Sequence, residues 1–137
     1  LACSPALAVA APVQPIIVYR DPGCSCCVAW GGQVRKGFGR LVQFVDSPAR
    51  AALQKRLGVP ASLSSCHTAL INGLVFEGHV PVADMKLAML LRPAGVRGLA
   101  VPDMPIGSPG MEAPGTPAEH YAVMAFGSGA PRVFARH

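Results

Sequence analysis

Four cysteines carry the most chemistry in this chain. Three fall within four positions, Cys24-Ser25-Cys26-Cys27, and the fourth is Cys66 in Ser64-Ser65-Cys66-His67-Thr68. Asp21-Pro22-Gly23 in front of the triplet is turn-forming, so the cysteines are expected in the first turn of a helix. Free backbone N–H groups and the helix dipole would there draw a thiol below its usual value of about 8.5. Cys24 and Cys27 have C-x-x-C spacing and share a helix face, while Cys26 points about 100° away from Cys27. Such a site can exchange disulfides, with Cys24 attacking and Cys27 resolving. It can also gather soft metal ions. Cu(I) suits a cysteine-only set, because the adjacent Cys26 and Cys27 chelate one small ion poorly and bridge several ions well. Zinc is the competing ion, held by four sulfurs or by three and His67. The plainest alternative is a structural Cys24–Cys27 disulfide in an oxidising compartment.

The elements that must position these thiols alternate in type. Pro15–Arg20 reads as a strand, Cys26–Gly37 as a helix and Leu41–Val45 as a second strand. Gly31 and Gly32 each cost that helix about 1 kcal/mol relative to alanine, unless something packs closely there. Ser47-Pro48 offers an N-cap and first residue for a second helix, stopped by Gly58, with Ala51, Ala52, Leu53 and Leu57 as its apolar side. Asn72-Gly73 between Thr68–Ile71 and Leu74–Glu77 is a strong hairpin signal. Val82–Leu91 reads as a short apolar third helix. Residues 92–120 alternate proline with glycine and read as a loop too long for a passive connection. Tyr121–Phe126 and Arg132–Ala135, across Gly127-Ser128-Gly129, read as a closing hairpin. The expected fold is α/β, thioredoxin-like, βαβ–α–ββα, with a Pro/Gly-rich loop extension and a C-terminal hairpin, in one domain over residues 15–137. In that topology the loop entering the first hairpin strand lies against the C-x-x-C helix end. Cys66 is thereby expected near Cys24, Cys26 and Cys27.

With 137 residues and a formal charge of +5, the chain is long enough for one modest core. Its basic residues are scattered with no basic stripe interleaved with aromatics, which argues against nucleic acid as a partner. No apolar run approaches the roughly 20 residues of a membrane span. Residues 1–14 read as the remnant of a leader, with Ala6-Leu7-Ala8 or Ala8-Val9-Ala10 as cleavage options and no charged n-region, as in a chain whose numbering starts inside a precursor. Leu1-Ala2-Cys3 also resembles the end of a lipoprotein attachment site, which would make Cys3 a lipid anchor. Export without that anchor is the favoured expectation.

Several motifs in order resemble one family. They are Cys24-Ser25-Cys26-Cys27 followed by Trp30, Gly58-Val59-Pro60 leading to Ser65-Cys66-His67-Thr68-Ala69, and Glu77-Gly78-His79-Val80-Pro81. Gly98-Leu99-Ala100-Val101-Pro102 then runs into Met104-Pro105-Ile106-Gly107-Ser108-Pro109-Gly110-Met111-Glu112. From Ile16 onward the chain resembles the thioredoxin-like, metal-associated exported bacterial proteins that include the CopG-type copper-resistance proteins. The resemblance implies a periplasmic protein of copper resistance or homeostasis. In it Cys24, Cys26, Cys27 and Cys66 would hold Cu(I), as a multinuclear thiolate cluster, possessing thiol or copper oxidoreductase activity in some members. Other periplasmic copper-handling proteins would be its partners. Many members carry a histidine three residues after the tryptophan, where this chain has Gln33.

Weaker ligand candidates are His67, His79, Met104 and Met111. His67 adjoins Cys66 and would ligate copper or tune its thiolate. Met104 and Met111 lie in the Pro/Gly loop, where no helix face claims them. Met85 and Met89, four apart on an apolar helix, are expected in the core. His120 and His137 are expected at the surface, and Trp30 in the core or over the site. Lowered thiol pKa values are expected to make metal capture efficient at neutral pH, with proton release.

Overall fold

In the computed structural model, which describes residues 7–137, strand β1 (Ile16–Arg20) passes through helix α1 (Ser25–Phe38) to a parallel strand, β2 (Val42–Asp46). Helix α2 (Arg50–Leu57) and a single 3-10 turn (Ala61–Leu63) lead to the hairpin of β3 (His67–Ile71) and β4 (Leu74–Gly78). Helix α3 (Val82–Leu91) follows, then β5 (Val96–Val101), β6 (Ala122–Gly127) and β7 (Arg132–Arg136). All seven strands form one sheet in the order β2-β1-β3-β4-β5-β6-β7. Cys3 and the first six residues of the leader reading lie outside the described residues. Leu7 to Gln14 are exposed and carry no regular structure.

Two-residue periodicity sends alternate side chains to opposite faces of the sheet, so two cores form. Trp30 and Val34 of α1 and Met85 and Ala88 of α3 pack on Val18, Ala69, Ile71, Phe76 and Leu99. On the other face, Val59 and Leu63 pack on Val75, Ala100 and Phe126. Gly31 is explained by this packing. A Cβ there would collide with the Phe44 ring, so its helical cost is the condition for α1 lying close to β2.

Three expectations are corrected. Residues 92–120 are not all loop, because β5 lies inside them and pairs in parallel with β4 across α3. Its glycine signal was misleading: a Cβ on Gly98 would strike the Val75 carbonyl and the Phe126 ring, so this glycine serves strand packing. Helix α2 starts later than Ser47-Pro48, with Ala49 as N-cap and no side-chain capping bond. Its buried residues are Arg50 and Gln54, whereas Ala51 and Ala52 are exposed. That inversion matters for the site.

Candidate metal centre

Cys24 is the N-cap of α1 and is half-buried, whereas Cys27 one turn on is fully buried. The two are joined by a disulfide, leaving Cys26 and Cys66 as free thiols. Cys26, turned from the Cys27 direction, still brings its Sγ to 3.4 Å from Cys24 Sγ. Cys66 arrives from the loop before β3. Its carbonyl accepts the Asp21 N–H at 3.0 Å and lies 3.6 Å from Cys27 Sγ. The Sγ atoms of Cys24, Cys26, Cys27 and Cys66 all lie within 4.8 Å of one another.

Cys66 is also the corner of a second group. With His67 and His79 it forms a triad of ligand atoms within 4.8 Å of one another. His79 Nδ1 is 2.7 Å from the Pro109 carbonyl, which fixes the proton on Nδ1 and leaves Nε2 as a lone pair, 3.2 Å from Cys66 Sγ. A histidine whose second nitrogen is held by a carbonyl is the usual form of a metal-ligating imidazole. His67 lies against Trp30, with ring centroids 4.3 Å apart, and its Nδ1 is 3.4 Å from Cys66 Sγ. Its buried Nε2 has no hydrogen-bond partner among the described residues. Burial, helped by the neighbouring His79, holds the His67 imidazole down to about 3, and burial lowers His79 too. Both rings are neutral bases at ordinary pH.

At Cys66 the expectation of a lowered thiol pKa is overturned. Burial first, then the charge of Cys26, pushes its thiol up to about 12. It comes from a strand loop rather than a helix end, and its surroundings offer little to stabilise a thiolate.

Beneath Cys66 lies a polar network that the sequence analysis did not identify. Glu77 is completely buried; its Oε1 accepts from Arg50 Nη1 at 3.1 Å, Gln54 Nε2 at 2.6 Å and the Ser65 N–H at 2.8 Å. Its Oε2 accepts from the Thr68 hydroxyl at 2.5 Å. Burial raises this carboxyl above its ordinary value, and the four donors, which favour the charged form, offset only part of that rise. Arg50 also bonds Asp21 at 2.9 Å and the Ser65 carbonyl. Burial acts to lower its pKa, but the Asp21 and Glu77 carboxylates outweigh that and raise it. Arg50 therefore ties the turn before Cys24 to the residue before Cys66 and sets the spacing of the two cysteine segments. The available signal was Glu77 itself, an acid in the otherwise apolar strand Leu74-Val75-Phe76.

The segment after β5 crosses the head of α1. Ser65 Oγ donates to the Asp103 carbonyl at 2.8 Å, and Gln33 Nε2 donates to Glu112 at 2.8 Å. Gly110, at φ +86°, sits where a Cβ would come within 2.8 Å of both the Cys26 carbonyl and the Trp30 nitrogen, so only glycine lets the loop lie this close. Met104 Sδ reaches 3.9 Å from Cys26 Sγ, whereas Met111 makes no such sulfur contact among the described residues. Trp30 is a core residue whose indole N–H bonds the Val80 carbonyl at 2.9 Å. Met85 is buried and Met89 packs against the same core. His120 is exposed, and His137 Nε2 lies 2.7 Å from Asp84.

A family model described as "Protein of unknown function, DUF411" matches residues 63–111, a span that includes Cys66, Glu77, His79 and Met104 but not the cysteine triplet. No curated protein matches significantly. A solved structure of the copper resistance protein CopG, form 1, is 41% identical with a TM-score of 0.79, covering 90% of this chain and 98% of its own. Form 2 is 40% identical with a TM-score of 0.78, covering 90% and 99%.

Proposed function

This chain belongs to the family of the copper resistance protein CopG, and from that premise we propose that it captures and holds Cu(I) in the periplasm, at a multinuclear thiolate site made by Cys24, Cys26, Cys27 and Cys66. The observation that carries this reading is the gathering of four Sγ atoms from two separate segments within 4.8 Å. A structural disulfide needs two of them. Soft thiolates select Cu(I), and adjacent Cys26 and Cys27 favour bridging over single-ion chelation. His79 Nε2, set by the Pro109 carbonyl, is the nitrogen best placed to join them. Copper is cargo in this account. The disulfide form withholds two of the four thiols, and reduction of Cys24–Cys27 by an external dithiol opens the site. An oxidising compartment fits that bond, and no described helix is long and apolar enough to cross a membrane.

Loading replaces protons by metal. The Cys66 thiol, held protonated by burial, donates toward His79 Nε2 and must lose its proton as copper binds. The test is Cu(I) titration of the reduced, anaerobic protein beside Cys66→Ser. The reading expects the variant to lose stoichiometry and affinity; an unchanged titration would remove Cys66 from the site.

One observation favours a second reading, thiol–disulfide exchange without metal. The disulfide is asymmetric, with Cys24 half-buried at the helix end and Cys27 fully buried, as suits an attacking and a resolving thiol. Insulin-disulfide reduction by metal-free Cys26→Ser at the wild-type rate would support it. The same assay without turnover would leave copper holding alone.

A further inference from the structure

The buried ligands raise the question of how copper reaches them. Cys27 and Cys66 have almost no contact with solvent, and the loop after β5 covers the head of α1. One side chain stands on both sides of that cover. Met104 is 46% exposed, yet its Sδ lies 3.9 Å from Cys26 Sγ, the accessible free thiol. Its position is imposed. Asp103 before it has a φ of +61°, a left-handed backbone that non-glycine residues seldom adopt. The Asp103 carbonyl is held by Ser65 Oγ at 2.8 Å, so the residue beside Cys66 fixes the bend from which Met104 departs. On its outer side Met104 lines a groove of about 400 Å³, together with Met124, His120, Tyr121, Asp103 and Glu119. A second thioether, an imidazole and two carboxylates thus share one open groove with Met104, the lining residue that touches Cys26.

We propose that this groove is the path by which Cu(I) reaches and leaves the cysteines, with Met104 as the transient ligand that passes it to and from Cys26. The inference rests on copper being the cargo. A thioether binds Cu(I) without giving up a proton and more weakly than a thiolate, so it can accept the ion from an incoming complex and release it inward. Each exchange balances without electron transfer. A bond from Cu(I) to the delivering ligand breaks as the bond to Met104 Sδ forms. That bond then breaks as Cys26 Sγ binds and sheds its thiol proton to water. Met104 speeds exchange in both directions and leaves the final affinity unchanged.

The test delivers Cu(I) as its bicinchoninate complex to the reduced, anaerobic full chain and follows loss of the complex by stopped flow. Removal is followed with excess bicinchoninate. Met104→Leu keeps the bulk and removes the ligand. Uptake and removal are expected to slow together by about tenfold, with stoichiometry and affinity as in the wild type. Met124→Leu, at the groove's other thioether, is expected to slow both by roughly twofold to threefold. Met104→His, which restores a Cu(I) ligand, recovers most of the rate if ligation is the cause; no recovery in a folded variant overturns the relay. Unchanged rates in Met104→Leu also overturn it, because copper then arrives elsewhere. A drop in stoichiometry overturns it differently, by making Met104 a permanent ligand. Wild-type protein that takes no copper would refute the underlying reading instead.

Discussion

Cys24, Cys26 and Cys27 sit at an open helix end, where Cys24 and Cys26 meet solvent and a disulfide can form and break. Cys66, only a few ångströms away, sits over a buried ion-paired network, beside two neutral imidazoles, with its thiol pushed up to about 12. One half is chemically quick and the other is held still. A site of four equally exposed thiols would oxidise among themselves, and four buried ones would exchange nothing. In this account the exposed half meets reductant and incoming copper, and the buried half fixes where the metal comes to rest.

Removing a thiol from either half has the largest expected effect. Cys26→Ser and Cys66→Ser are each expected to lower Cu(I) capacity by about one ion or more per chain, read by metal analysis after gel filtration. Both variants keep Cys24 and Cys27, so their disulfide should still form and break near normally. Next comes the buried support. Glu77→Ala leaves Arg50 with an uncompensated share of its charge, and stability should fall by about 3 to 5 kcal/mol in urea unfolding. Glu77→Gln should recover part of that loss and much of the copper capacity, since it can still accept the Ser65 N–H.

Acid acts on the same half. His67 is held down to about 3 from an ordinary 6.5, so the unfolded chain takes up a proton that the folded chain refuses. The stability of the metal-free protein should therefore be intact above about pH 6.5 and decline as pH falls toward 3, by roughly 1.4 kcal/mol per unit for this group. His67→Phe should flatten that slope in denaturant melts at several pH values. The smallest effect belongs to the surface tie of the covering loop. Gln33→Ala removes one exposed hydrogen bond to Glu112 and should change stability by no more than about 1 kcal/mol.

The cysteine triplet and its helix were legible because turn residues, C-x-x-C spacing and helix signals agree locally. The approach of Cys66 was legible only through topology: a loop between α2 and β3 has one place to go in a sheet ordered β2-β1-β3-β4. β5 was hidden because Pro93, Gly95 and Gly98 carry the same signals as a loop, and only the close approach of the Val75 carbonyl and the Phe126 ring explains why Gly98 is a strand residue. The Arg50–Glu77 pair was hidden for a different reason. Residues far apart in sequence neutralise each other only once α2 lies over β4, and an isolated arginine on a short helix reads as solvated. The elevated Cys66 thiol follows from the same burial, which local sequence does not express.

What the reduced protein holds decides between a copper site and a zinc site. Reduced, anaerobically purified chain would be offered Cu(I) and Zn(II) together, and the bound metal per chain counted. More than one copper per chain with little zinc is the predicted result. One zinc per chain, or no metal at all, would contradict it.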